Sequence, residues 1–223
     1  MKLEMDFKER KSLGQDVFDY LKKAIIDQTI EPGSRLVESR ISQMLGISRT
    51  PLREALHKLE REEWIEKMPS GGLRVVSLTR EDIEETFGIR CALESYAARL
   101  AAENWVDGDL APLEKKLNEF QACLDKNNCS RLQAINTEFH DLLYGLSNSP
   151  KLIRMIDQLR SQIARFRQMI LKQETMAVRS NEDHINMMEA MKRRDGDGVE
   201  RLVRDHILRG KQAVLDQFRE KTN

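Results

Sequence analysis

The chain has 223 residues, 40% of them hydrophobic and 33% charged, the balance of a soluble globular protein long enough for two small domains. Its 37 basic and 37 acidic residues cancel, so bulk charge argues for no partner, and any case for nucleic acid must rest on a local basic face. No stretch approaches the roughly 20 consecutive apolar residues of a membrane-spanning helix.

The opening residues MKLEMDFKERK mix charge with apolar side chains and contain no apolar core of a signal peptide, which points to a cytoplasmic protein. Cys91, Cys123 and Cys129 form an odd set without CxxC spacing, which suits packing or surface roles in a reducing compartment better than a disulfide or metal framework. Few prolines and aromatics in a Leu-, Met-, Glu- and Arg-rich chain indicate a mostly helical fold.

From Gln15 to Gln28, Val17, Leu21, Ala24 and Ile25 recur at helical spacing on one face. Ile30-Glu31-Pro32-Gly33-Ser34 breaks that helix. A second helix over Ser39–Leu45 buries Ile41, Met44 and Leu45 and stops at Gly46, a natural left-handed cap. After the turn Gly46-Ile47-Ser48, a third helix runs over Arg49–Glu63. Pro51 is tolerated in its first turn, Ser48 or Thr50 can cap it, and Leu52, Ala55, Leu56 and Leu59 form its apolar stripe. Arg49 and Arg53 project together from another face. Two short helices around a tight glycine turn are the helix-turn-helix arrangement, whose second helix enters the major groove. Trp64–Met68 and Leu73–Ser77 then pair as two strands across Pro69-Ser70-Gly71-Gly72, a hairpin in the position of a wing.

Beyond Leu78 the pattern is helical throughout. Thr79 and Asp82 have the spacing of an N-terminal cap. Helices are predicted over Arg80–Asn104, Gly108–Lys126, Ser130–Leu146, Pro150–Lys172, Met176–Arg194 and Gly196–Phe218. The breaks fall at Asp107-Gly108, Asn127-Asn128, Asn148-Ser149-Pro150, Glu174-Thr175 and Asp195-Gly196-Asp197-Gly198. The expected fold is mainly α: a winged helix-turn-helix over residues 1–78, with three helices and a two-stranded wing, joined to an all-α antiparallel bundle over residues 79–223.

An arginine-bearing helix after a tight turn and before a hairpin is suited to DNA, because the guanidinium fork matches O6 and N7 of guanine. Arg49 and Arg53 are candidate base or phosphate contacts, and Ser48 and Thr50 candidate phosphate ligands at the helix N-terminus. Gly71 and Gly72 would let the wing backbone approach the minor groove, and Arg35 is a further backbone candidate. The plain alternative is that these arginines pair with Glu38, Glu54 or Glu60 on a solvated surface.

The chain has four histidines. His57 reads as a surface residue of the first domain. His140, His184 and His206 fall on three helices of the second, and Asn136 shares a face with His140. Three imidazoles converging in a bundle would hold a divalent metal, but histidines so far apart in sequence are usually unrelated.

Leu45-Gly46-Ile47-Ser48-Arg49-Thr50-Pro51-Leu52-Arg53-Glu54-Ala55-Leu56, with Glu31-Pro32-Gly33-Ser34-Arg35-Leu36 upstream, closely resembles the DNA-binding motif of the GntR family. Arg90-Cys91-Ala92-Leu93-Glu94, Phe139-His140, the Asn148-Ser149-Pro150 break, His184 and His206 resemble the FCD effector domain of its FadR-like branch. The resemblance covers nearly the whole chain. Members of the family often place glycine before the wing, where this chain has Glu63-Trp64. The resemblance implies a transcriptional regulator binding double-stranded operator DNA, with Arg40 as a further contact, and acting as a homodimer. It also implies a divalent metal, Zn or Ni with Mn possible, on Asn136, His140, His184 and His206, and a small carboxylate effector met by Arg90. Arg165, Arg167 and Gln168 are further candidates to line the pocket.

Two other readings stay open at the level of sequence. One is a regulator whose helical domain is structural and metal-free. The other is a metal-dependent enzyme, for which the only general bases near the histidines are Glu138, Asp141 and Asp183, equally well explained by solvated helix faces.

Overall fold

The structure is a computed structural model describing residues 12–27, 29–77, 79–126, 131–171 and 173–220. The side chains at 160, 161, 165, 168 and 218–220 fall outside that description. The opening residues, Gln28, Leu78, Cys129 and the predicted break at Asn127-Asn128 therefore lie outside the described residues. The chain divides into two compact units, Met1–Leu78 and Thr79–Asn223. No helix among the described residues is long and apolar enough to cross a membrane.

The first unit contains helices α1 (Leu13–Ile26), α2 (Glu38–Leu45) and α3 (Arg49–Arg61), and strands β1 (Arg35–Leu36), β2 (Ile65–Lys67) and β3 (Leu73–Val75). Ser12 caps α1 by accepting the Gln15 amide at 3.2 Å. Val17, Phe18, Leu21 and Ile25 of α1 then bury one stripe against Leu52, Ala55, Leu56 and Leu59 of α3. Trp64, Ile65 and Val75 extend this core under the sheet. Gly46 holds φ 64° between α2 and α3, as the turn between them requires. Ser48 occupies the cap position of α3 but makes no side-chain cap bond.

The expected two-stranded wing is a three-stranded antiparallel sheet in the order β1-β3-β2. Arg35 pairs with Arg74 and Leu36 with Leu73 on one side of β3, and Ile65 pairs with Val75 on the other. The added strand has only two residues, too short for alternation to be visible in a sequence.

Just before the wing, Glu63 adopts φ 57°. The Trp64 amide donates to Leu59 O at 2.9 Å and the Glu63 amide to Glu60 O at 3.0 Å, the paired bonds of a Schellman motif. Buried Trp64 and Leu59 supply its hydrophobic contact. The wing thus starts from a left-handed residue even though the residue is not glycine.

The second unit is an all-helical bundle. It comprises α4 (Arg80–Asn104), α5 (Ala111–Asp125), α6 (Leu132–Gly145), α7 (Pro150–Gln158), α8 (Arg160–Leu171), α9 (Glu174–Lys192) and α10 (Gly196–Glu220). Thr79 and Asp82 form a reciprocal capping box at the start of α4. Helices α4 and α10 run antiparallel: Arg99 meets Asp197 at 2.8 Å, while Gly210 lies against Phe87. Ala97, Ala98, Ala101 and Ala102 of α4 are fully buried.

The segment predicted as one helix over Pro150–Lys172 is two. Leu159 ends α7 with its amide on Ile156 O at 3.0 Å, and Ile163 restarts the ladder on Leu159 O at 2.9 Å. No glycine or proline marks this joint, so the sequence carries no punctuation there.

Left-handed backbone costs a residue with a Cβ about 1–2 kcal/mol, partly offset because glycine loses about 0.5–1 kcal/mol more entropy on folding. We expect Glu63→Gly to fold at least as stably as the parent, and Glu63→Ile to be less stable than Glu63→Gly by about 1–2 kcal/mol. Urea midpoints measure the pair. Equal midpoints would mean that the wing does not depend on this residue's backbone.

Candidate metal centre and nucleic-acid interface

The candidate DNA contacts all lie exposed on the first unit. Arg49 opens α3 with Thr50 beside it, and Arg53 follows one turn later. Ser48, with no cap bond of its own, leaves its hydroxyl at the helix N-terminus, where the dipole favours an anion. Arg40 is exposed on α2, and neither it nor Arg49 makes an ion pair among the described residues. Arg53 Nε donates to Glu38 Oε2 at 2.8 Å, one of the surface pairs considered as the alternative. Both partners are solvent-accessible, and such a pair contributes at most about 1 kcal/mol, so it does not lock Arg53 away from a phosphate or base.

Gly71 and Gly72 have φ 84° and 92° at the tip of the wing. Arg35 Nη2 donates to Gly71 O at 3.4 Å, so this arginine braces the wing from β1. His57 is exposed near Glu60, as expected of a surface residue.

In the second unit, one nitrogen each from His140 on α6, His184 on α9 and His206 on α10 gather within 4.8 Å of one another. His140 Nε2 and His184 Nε2 are 3.3 Å apart. Three helices distant in sequence thus deliver the three imidazoles to one point.

For two of the rings, neighbouring groups set which nitrogen is free. The single Tyr144 hydroxyl proton goes to Glu94 Oε2 at 2.7 Å, because an ionised carboxylate only accepts. The Tyr144 oxygen therefore accepts from His140 Nδ1–H at 3.1 Å, and His140 Nε2 keeps its lone pair. On the other side, His206 Nδ1–H donates to Asp183 Oδ2 at 3.0 Å, which frees His206 Nε2 in the same way. Phe139 stacks on the His184 ring at 4.4 Å and Phe120 meets it edge-on, fixing its plane.

The electrostatics keep these rings neutral. Burial holds His140 well below the usual histidine range, reinforced by nearby Arg167. Burial, then His206, does the same for His184. His206 is lowered by burial against the opposing pull of Asp183. Burial alone would raise Glu94 and Asp183, but Arg90 and Arg167 outweigh it for Glu94, and bonds from His206 and Arg209 outweigh it for Asp183. Both carboxyls sit below their usual range. Burial and Glu94 push the Tyr144 phenol well up, so it stays protonated.

This donor set fits a divalent ion. Neutral imidazoles are the required form, and carboxylate or hydroxyl partners on Nδ1 are the usual outer support of metal-binding histidines. Tetrahedral zinc–nitrogen bonds of about 2.0–2.1 Å place two nitrogens about 3.3 Å apart, which the His140–His184 pair matches. Asn136, one turn before His140, is buried and accepts from Ser180 Oγ at 3.4 Å. Ser180 in turn stands 3.4 Å from His184 Nε2, so it is the nearer polar neighbour of that ring.

A cavity beside the histidines is lined by Arg90, Asn136, Arg167, Asp183, His206 and Arg209, among others. Arg90 makes an i,i+4 pair with Glu94 at 2.6 Å, and both side chains are buried. Arg167 is buried too, with Nη2 3.9 Å from Glu94 Oε2 and Nε unpartnered. The side chains of Arg165 and Gln168 lie outside the described residues.

Sequence reasoning missed Tyr144, Ser180 and Arg209 as site residues. Their signal was spacing: Tyr144 is four residues after His140, Ser180 four before His184, and Arg209 three after His206. Of the acids considered as general bases, Glu138 is tied to Lys116 at 2.5 Å and Asp183 to His206 and Arg209, which leaves neither as an evident base.

Comparison with known proteins gives both units relatives. The profile of bacterial regulatory proteins of the gntR family matches residues 13–75, and that of the FCD domain matches residues 85–209. The HTH-type transcriptional repressor RspR of Escherichia coli (strain K12) is 25% identical over 223 residues, covering 100% of this chain and 97% of its own. The HTH-type transcriptional regulator McbR of the same organism is 33% identical over 148 residues, 66% of this chain and 67% of its own. The solved structure of E. coli McbR/YncC superposes with a TM-score of 0.73 at 26% identity, covering 94% of this chain and 100% of that one. This chain belongs to the GntR family of DNA-binding transcriptional regulators and carries that family's helix-turn-helix domain followed by an FCD domain.

Proposed function

We propose that this regulator is a cytoplasmic homodimer that reads a two-fold operator through Arg40, Ser48, Arg49, Thr50, Arg53 and the wing, and senses a small carboxylate in its helical unit through a bound divalent metal. Three neutral imidazoles meeting at one point, two with their tautomers fixed from behind by Tyr144 and Asp183, carry this reading. His140, His184 and His206 would hold the ion, with Asn136 or Ser180 as a neutral oxygen neighbour. Zinc or nickel suits such nitrogen ligands, and manganese suits them less. Bound there, the ion would supply a Lewis-acidic attraction for a carboxylate. The protein's own contribution is the buried guanidinium pair Arg90 and Arg167, which orients an anion, and a wall of Phe87 and Ile170 that excludes water.

An effector changes operator binding only through different affinities for the operator-competent and incompetent arrangements. Two heads per dimer match the half-sites of a palindrome about one helical turn apart.

Metal-free protein restored with zinc at about 100 times its Kd should gain about 2.7 kcal/mol of stability, read as a rise in melting temperature. His184→Ala and His206→Ala should each lose most of that gain. If the parent melts at the same temperature with and without zinc, nickel or manganese, the triad is structural and the helical unit metal-free.

The depressed histidines also set a pH dependence for the metal-free protein. His140, His184 and His206 stay neutral when folded but take a proton when unfolded below about pH 6.5. Their contribution is complete above that pH and is lost as pH falls toward the folded values, by about 1.4 kcal/mol per pH unit for each histidine protonated only on unfolding. Urea titrations between about pH 7.5 and 5.5 should show this loss, and His140→Gln should flatten it. A slope unchanged by that substitution would count against a buried neutral His140.

For DNA, Arg49→Ala and Arg53→Ala should each weaken operator binding by about 1–3 kcal/mol without lowering the melting temperature. Unchanged affinity in both variants at moderate salt would take these arginines out of the interface.

A further inference from the structure

Two guanidinium groups lining the cavity beside the histidines carry a buried N–H that no described residue accepts: Nε of Arg167 and Nε of Arg209. They belong to different walls. Arg167 projects from α8 toward the Arg90–Glu94 pair. Arg209 projects from α10, three residues beyond His206, with Nη2 on Asp183 Oδ2 at 2.5 Å. A buried donor without an acceptor loses its hydration for nothing, so each of these positions favours a ligand oxygen.

The local charge is unbalanced in the same sense. Among the described residues, Arg90, Arg167 and Arg209 are met in contact by two carboxylates, Glu94 and Asp183, with Asp141 acting on Arg167 at longer range. At the rim, Arg179 pairs with Glu182 at 2.8 Å and adds no net charge. A divalent ion on His140, His184 and His206 would enlarge the excess, because all three ligands are neutral, and so is Asn136. One carboxylate cannot cancel it.

We propose that the effector carries two anionic groups, as a small dicarboxylate does, with one group taken by Arg167 beside Arg90 and the second by Arg209 on the α10 wall. This rests on reading the cavity as the effector site. It goes further in making Arg209 a specificity residue that separates dianions from monoanions of the same length. Glu94 and Asp183 hold the two guanidinium groups in place while leaving the Nε–H of each without an acceptor among the described residues.

The test compares dissociation constants of matched acids on the zinc-loaded protein by calorimetry: butyrate against succinate and pentanoate against glutarate, at about pH 7.5 so that every carboxyl is ionised. Charge-assisted bonding of the second group should make the better dicarboxylate at least about tenfold tighter than its partner. In Arg209→Gln that ratio should fall to near one. Arg204→Gln removes a charge from the same helix at an exposed position paired with Glu200, and should keep the ratio. Equal affinities within both matched pairs on the parent protein would overturn the proposal and leave a monocarboxylate sensor standing. A ratio that survives Arg209→Gln, or that falls as far in Arg204→Gln, would also overturn it. Binding of none of the four acids would overturn the carboxylate-sensing reading itself, and this inference with it.

Discussion

The helical unit is organised around one carboxylate that water cannot reach. Glu94 is fully buried and still ionised, which is tenable only if partners replace the lost hydration. Arg90 supplies a 2.6 Å bond from the same helix, Tyr144 a 2.7 Å bond from α6, and Arg167 a charge from α8. Removing one partner from such a group typically costs about 3–5 kcal/mol, because a buried charge is left uncompensated. Three helices are therefore pinned to one another by a polar contact, not only by packing. The same contact reaches the histidines: with the Tyr144 proton committed to Glu94, His140 must donate from Nδ1, and its other nitrogen faces His184 and His206.

The two units use charge in opposite ways. On the first unit, Arg40 and Arg49 stand unpaired among the described residues, and Arg53 is held by a single exposed carboxylate. Such groups keep most of their hydration and exchange partners at little cost, which suits a surface that must slide along phosphate before it finds a base. In the second unit, Arg90 and Arg167 are buried and cannot exchange partners with water. In the proposed sensor, an anion entering there would meet donors already oriented and already desolvated, so selection would rest on shape and charge count more than on long-range attraction.

Much of the first unit was legible in its sequence because its signals are local. The apolar stripe of α3, the glycine after α2 and the Pro-Ser-Gly-Gly turn of the wing each act within a few residues. The two residues of β1 escaped because pairing with β3 is a tertiary event without a local pattern. The joint at Leu159 escaped because neither glycine nor proline marks it. In the helical unit, the three histidines were legible as a set only through resemblance to the FCD domain, since residues 140, 184 and 206 have no periodic relation. Asp183 read as part of a solvated face because its neighbours Glu182 and Arg179 are exposed, and its own burial is decided by α10 lying against α9. The Arg90–Glu94 pair is buried. An i,i+4 spacing gives the contact and says nothing about which side of the helix faces the core.

Connectivity limits how a ligand signal can travel in the proposed sensor. The last strand of the sheet ends at Val75 and α4 starts at Arg80, so few residues separate the wing from the helix that carries Arg90 and Glu94. A ligand drawing on Arg90 acts on α4 directly, and through Glu94 and Tyr144 on α6. Helix α10, which carries His206 and Arg209, lies along nearly the whole of α4. Ligand oxygens shared between Arg167 and Arg209 would therefore bear on both long helices of the pair at once. The buried side of α4 is close-packed, and rigid elements respond to such a load by shifting as bodies. A sensor built this way would turn the filling of a small cavity into displacement of α4, the helix whose N-terminus follows the DNA-binding unit in the chain.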